Sequence, residues 1–194
     1  MYRYILSFLL STSVLCLSAQ HMHPSTKRGY ADSVNNGIIK SDTLKKSVGR
    51  TAMYTIGKTH VHIAYSSPGV RNRVVWGGLV PYDEVWVTGA HKATSISFNK
   101  DIFIEGRKIK SGTYALFTIP GTKIWQFILN KRYDQHLTDQ YNAAEDILRI
   151  PMQPSKVAFT PRLTYEVKQS GSSKGVIHFR WERLQWNIPF QITQ

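Results

Sequence analysis

One cysteine, Cys16, occurs in the 194 residues. It sits inside an N-terminal apolar run, so a chain cut after Ala19 holds none, which excludes a disulfide framework and a thiol nucleophile. Carboxylates are also scarce, with 12 Asp+Glu against 25 Lys+Arg. The pairs Asp83-Glu84 and Glu145-Asp146 are sequence neighbours whose side chains diverge on a strand. The opposed carboxylates of a glycosidase would have to come from tertiary pairing. The one Gly-x-Ser-x-Gly match, Gly171-Ser-Ser-Lys-Gly175, reads as a flexible hairpin loop rather than a nucleophile elbow, and there is no His-Glu-x-x-His pair. Basic residues are scattered rather than gathered into one block, and no nucleic-acid reading motif accompanies them, so specific nucleic-acid recognition is not expected.

What is present begins with an export signal. Tyr2-Arg3-Tyr4 is a short charged region, Ile5–Leu17 is apolar, and Leu17-Ser18-Ala19 offers small residues before Gln20. The run is shorter than the roughly 20 apolar residues of a spanning helix, so no transmembrane segment is expected in the mature chain. Residues 1–19 are read as a signal peptide and the destination as periplasm or the extracellular space. In a second reading, cleavage before Cys16 leaves a lipidated N-terminus. Removing Arg3 leaves 24 Lys+Arg against 12 Asp+Glu, a formal charge of +12 that attracts anionic partners.

Residues 20–47 are polar and aperiodic, and are expected to be a disordered linker. From residue 48 to 194 the pattern is of short strands between turn residues. Ala52–Ile56 and Thr59–Tyr65 meet at Gly57-Lys58, with Val61, Ile63 and Tyr65 facing the core and His60, His62 and Ala64 facing out. Further strands are expected at Glu84–Val87, Ala93–Phe98, Ile102–Glu105 with Arg107–Ile109, Thr113–Ile119, Ile124–Leu129, Asp146–Met152 (at a sheet edge), Leu163–Gln169, Gly175–Trp181 and Trp186–Ile192. A turn of helix is expected near Gln140–Glu145. The fold class is all-β: a single β-sandwich, jelly-roll and immunoglobulin-like topologies both open.

Tyr65-Ser-Ser-Pro68, Trp76-Gly-Gly-Leu-Val-Pro-Tyr82, Val85-Trp86, Thr88-Gly-Ala90, Ala93-Thr94, the run Gly112–Gly121, Trp125, Asn130 and Asp146-Ile-Leu-Arg149 fall in order. In these motifs the chain resembles the exported bacterial family called domain of unknown function 2911, over roughly Ser47 to Ile192. The resemblance implies export and a domain type but no activity or catalytic residues. Members commonly have Arg where this chain has Ser67 and Val87, and Asn-Glu where it has His91-Lys92, so a pocket built on those positions is rewritten here.

Segment Val74–Phe98 concentrates tryptophan, glycine and proline and is the first candidate for a site. Trp76, Tyr82, Trp86, Thr88 and His91 are expected to line a pocket, with Arg71, Arg73 and Lys92 drawing anionic groups to its rim. Trp125 and Trp181 alternate with apolar neighbours and read as core. The function this supports is a non-catalytic binding module for a small molecule, glycan or envelope protein, with no cofactor. One alternative is a metal-assisted hydrolase: His60 and His62 share a strand face in a geometry usable for zinc, with His91, His178 or Glu182 needed to complete the set. Another is a structural or adaptor subunit of an envelope complex. Thr88 beside His91, oriented by Asp83 or Glu84, is a weaker nucleophile candidate, and Asp146 with Arg149 reads as a structural pair.

Overall fold

Alternation along β2 (Thr59–Ser67) buries Val61, Ile63 and Tyr65 and turns His60, His62 and Ala64 outward, the period-2 signature of a half-buried strand. The computed structural model describes residues 29–193 and repeats this logic in ten strands. The segment expected to be a signal peptide, residues 1–19 with Cys16, lies outside the described residues, as does the pair His21-x-His23, a lesser candidate for metal binding in the expected linker. β1 (Val48–Ile56), β2, β3 (Thr94–Phe98), β6 (Gly112–Ile119), β7 (Trp125–Asn130) and β8 (Asp146–Met152) form one antiparallel sheet in that order. β5 (Arg107–Ile109), β4 (Ile102–Ile104), β10 (Lys174–Ile192) and β9 (Ser155–Gly171) form the other. The two sheets pack as a β-sandwich around one large apolar cluster. The first sheet follows chain order apart from the β4–β5 excursion. It is a meander, so neither the jelly-roll nor the immunoglobulin order describes it.

Most expected hairpins form: β1–β2 around Gly57, β4–β5 around Glu105-Gly106, and β6–β7 after Pro120-Gly121. β8 is an edge strand and a 3-10 turn occupies Ala143–Glu145. Two expectations are corrected. Glu84–Val87 is a loop held by a single bridge, Trp86 to Thr118, because Asp83 and Thr88 on either side take φ of 62° and 49° and break any ladder. The separate strands 175–181 and 186–192 are one strand. β9 starts earlier than its apolar pattern suggests and pairs across the polar stretch, Glu182 with Thr160 and Leu184 with Lys156, at a bulge where Glu182 has φ of 56°.

Residues 29–47 are also not a structureless linker. α1 (Tyr30–Asn35) buries Tyr30, Ala31 and Val34 against β9. Asn35 then behaves like a neighbouring strand: its side chain donates to the Arg162 carbonyl at 2.9 Å and accepts from the Arg162 N–H at 2.8 Å. The Arg162 guanidinium, fully buried, donates to the Asp42 carboxylate at 2.8 Å and to the carbonyls of Leu44 and Ser67 at 2.7 and 3.0 Å. These contacts tie residues 29–47 to the sandwich as a strap.

β6 and β7 bury both faces, for a second cluster lies outside the first sheet. Val87, Ala93, Ala115, Phe117 and Ile128 meet there, covered by residues 85–93 and by Tyr141, whose ring is 5.1 Å from that of Phe117. The central segment is thereby pinned over the sheet on one side and against the main core on the other.

Candidate functional site

Three pieces of chain enclose a cleft of about 380 Å³. The strap gives Lys45 and Ser47, the loop after β2 gives Pro68, Gly69, Arg71 and Arg73, and the central segment gives Leu79, Val80, Trp86, Val87, Gly89, Ala90 and His91. Trp181 of β10 and Leu137 complete it. The loop after β2 is fixed to β9 through Leu163 N–H to Pro68 carbonyl (3.0 Å) and Val70 N–H to Pro161 carbonyl (2.8 Å). It then reverses in a tight turn whose central residues, Arg71 and Asn72, take φ of 48° and 59°. A Cβ at Gly69 would run into the Asp42 carboxylate and force it to shift.

Arg73 folds back on its own loop, donating from Nη2 to the Gly69 carbonyl at 2.5 Å and from Nε to the Val70 carbonyl at 3.2 Å. Burial, then the neighbouring charge of Arg71, lowers its pKa, and Asp42 partly offsets this. The indole N–H of Trp86 donates to the Gly89 carbonyl at 3.2 Å, closing the turn above its own ring. Gly89 has no room for a Cβ, which would lie 2.8 Å from Thr94 Oγ1 and 3.2 Å from the Ser66 carbonyl. His91 is exposed at the rim with φ of 64°, its carbonyl accepting from the Leu137 N–H at 2.7 Å. Among the described residues, no Asp, Glu, Asn or Gln lines the cleft.

Four residues expected at the pocket lie elsewhere. Trp76 belongs to the core, its ring 4.8 Å from Trp125, 5.6 Å from Trp181 and 5.9 Å from Trp86. Tyr82 is exposed and covers Gly77. Thr88 is fully buried and its hydroxyl is shared between the Trp86 carbonyl (3.1 Å) and Thr118 Oγ1 (3.0 Å). Lys92 pairs with Asp134 at 3.2 Å on the surface and borders a separate depression over Arg50, Tyr65 and Ser66. Sequence reasoning missed Lys45, Leu137 and Trp181 at the cleft. Lys45 lies in the expected linker and Leu137 in an irregular stretch, whereas Trp181 is core as its alternation implies, 1% exposed, and only underlies the cleft.

A model of a family described as "Protein of unknown function (DUF2911)" matches residues 47–190. The chain belongs to that family. No curated protein and no solved structure matches it. The DUF2911 match ends short of most of the strap, so Lys45 and the Asp42 latch lie beyond the family's matched span while the rest of the cleft lies within it. Of the four positions at which the resemblance implies other residues, Val87 and His91 line the cleft.

Among the described residues, neither the metal set nor the nucleophile relay assembles. His60 and His62 stand side by side, rings 6.5 Å apart and 19° from parallel, with His60 Nδ1 2.9 Å from Thr55 Oγ1. His91 is at the cleft, while His178, on β10, is 2.7 Å from Asn187 Oδ1. Among the described residues no third His, Cys, Asp or Glu joins the pair. With its hydroxyl so engaged, and Asp83 held at the Pro120 turn, Thr88 forms no relay with His91. Asp146 and Arg149 do pair, at 2.8 Å, within a network that includes Tyr141 and Asn130.

Proposed function

We propose that this DUF2911 member is a non-catalytic binding module whose cleft between strap, β2 loop and central segment receives a small molecule. The observation that carries the reading is the concentration of strain there. Arg71, His91 and Leu137 line the cleft with positive φ, and Thr88, between two lining residues, makes a fourth. Such conformations cost roughly 1–3 kcal/mol each and gather where a shape is worth more than local stability. The volume, near the low end of about 300–1,000 Å³ for ligand pockets, suits one small body rather than a polymer.

We also propose, from Ile5–Leu17 and the small residues before Gln20, that the module works outside the cytoplasm. N-terminal sequencing of material from the native host tests this, and an intact Met1 would refute it. For the binding reading, a fragment screen by heteronuclear NMR is the test. Hits that shift the amides of Val87–His91 are expected. A screen in which no fragment perturbs that turn would refute the reading.

A further inference from the structure

We infer that the cleft takes an amphipathic anion: an apolar body seated on Trp86 between Leu79 and Leu137, and a carboxylate or phosphate group facing Lys45, Arg71 and Arg73. The inference rests on the binding reading above and names the ligand class. Three cations converge on the cleft from two separate stretches of chain, and among the described residues none forms an ion pair. Asp42, the carboxylate whose charge reaches Arg73, is already bonded to Arg162 through Oδ1. Like charges held together repel, Asp42 offsets this only in part, and here the scaffold does the holding: carbonyls of the loop fix Arg73, and the Arg162 latch fixes the strap that carries Lys45. Arg71 Nε is shielded from solvent and has no acceptor in the protein. An arriving oxyanion would relieve the repulsion and accept charge-assisted hydrogen bonds.

The remaining walls say what the rest of the ligand is. Half-buried Trp86 is backed by the buried Trp181, which stacks on it at 5.7 Å and 22°, and Leu79 and Leu137 stand 42% and 41% exposed, so the floor and rim are apolar. A neutral glycan needs side-chain carboxylates or amides that accept from its hydroxyls, and the lining has none. A quaternary cation would find aromatic rings but also three positive charges.

The test is a titration of the full mature chain, by calorimetry and NMR, with four probes sharing one ring system: 2-naphthoate, 2-naphthyl phosphate, 2-naphthamide and 2-naphthylmethylamine. At least one anion is expected to bind, shifting Val87, Gly89, His91 and the Trp86 indole signal, with the amide about tenfold weaker, the worth of one charge-assisted contact. Which anion binds tighter separates a carboxylate from a phosphate ligand. Lys45 is exposed and unpaired, so Lys45→Glu leaves the melting temperature unchanged yet weakens the anion by roughly three- to tenfold and the amide not at all. Arg71→Gln is a second variant with the same expectation. Amide binding as tight as anion binding, or indifference of the anions to both variants, overturns the inference and leaves the binding reading standing. Anion shifts scattered over the basic surface overturn it as well. Failure of all four probes to perturb the cleft removes both.

Discussion

Arg162 shows how one side chain sets the boundary of the folded unit. A guanidinium without water is costly unless its donors are met and its charge is paired. Here Asp42, three backbone carbonyls and the face of Tyr30, 4.9 Å away, surround it, and among the described residues only its Nε lacks an acceptor. Arg162→Met would strand the buried Asp42 carboxylate and those carbonyls, and is expected to lower unfolding free energy by about 3–5 kcal/mol. Urea denaturation measures it, and a loss under about 1 kcal/mol would mean the latch contributes little. Tyr141 makes a prediction in pH. Its phenol donates to Asp146 at 2.8 Å and accepts from Arg149 at 2.7 Å. Burial first, then the hydrogen bond and charge of Asp146, push its pKa up to about 12. A folded pKa above the unfolded value of about 10 favours the neutral folded form. Its stabilisation is therefore complete below about pH 10 and is lost as pH rises through about 12. Assigned tyrosine ring carbons followed by NMR should show Tyr141 titrating late, and a midpoint near 10 would contradict the network.

Elements were legible where local chemistry decides them. In the β4–β5 hairpin, Glu105 and Gly106 take φ of 47° and 73° between paired Ile104 and Arg107, the two-residue turn that favours Asn-Gly. Glu105 is exposed and makes no side-chain bond, so Glu105→Asn is expected to stabilise by about 0.5–1 kcal/mol, readable as a higher melting temperature. An unchanged or lower value would mean the turn is not strained. β2, β3 and the β6–β7 pair were equally readable from alternation and turn residues. The strap was not, because its anchor is a residue about 120 positions away and its own apolar contribution is a single helical turn. Glu84–Val87 misled because its alternation reflects one face on the outer cluster and one on the main core, with no partner strand. The cleft was half legible for a similar reason. Arg71, Arg73, Trp86 and His91 lie close in sequence, whereas Lys45, Leu137 and Trp181 arrive from three distant stretches that only the tertiary fold brings together.

At the scale of the molecule, the central segment is a third body wedged into a two-sheet sandwich, and tryptophan is the wedge. Trp76 reaches Trp125 on the first sheet, Trp181 on the second and Trp86 in its own segment, so one ring couples all three. If the coupling holds, the segment has no independent unfolding, and the protein loses its core in one transition. Trp76→Ala leaves a void among three remaining indoles and is expected to cost about 3–5 kcal/mol. It also removes a support behind Trp86 and Trp181, so the cleft should lose its shelf for an apolar body. Guanidinium unfolding followed both by tryptophan fluorescence and by far-ultraviolet circular dichroism tests this. In the wild type the two curves should coincide, and in Trp76→Ala they should coincide again at lower denaturant. A fluorescence transition that precedes the loss of strand signal in the wild type would mean that the segment leaves the sandwich by itself. The cleft would then be a hinged flap rather than a fixed receptor.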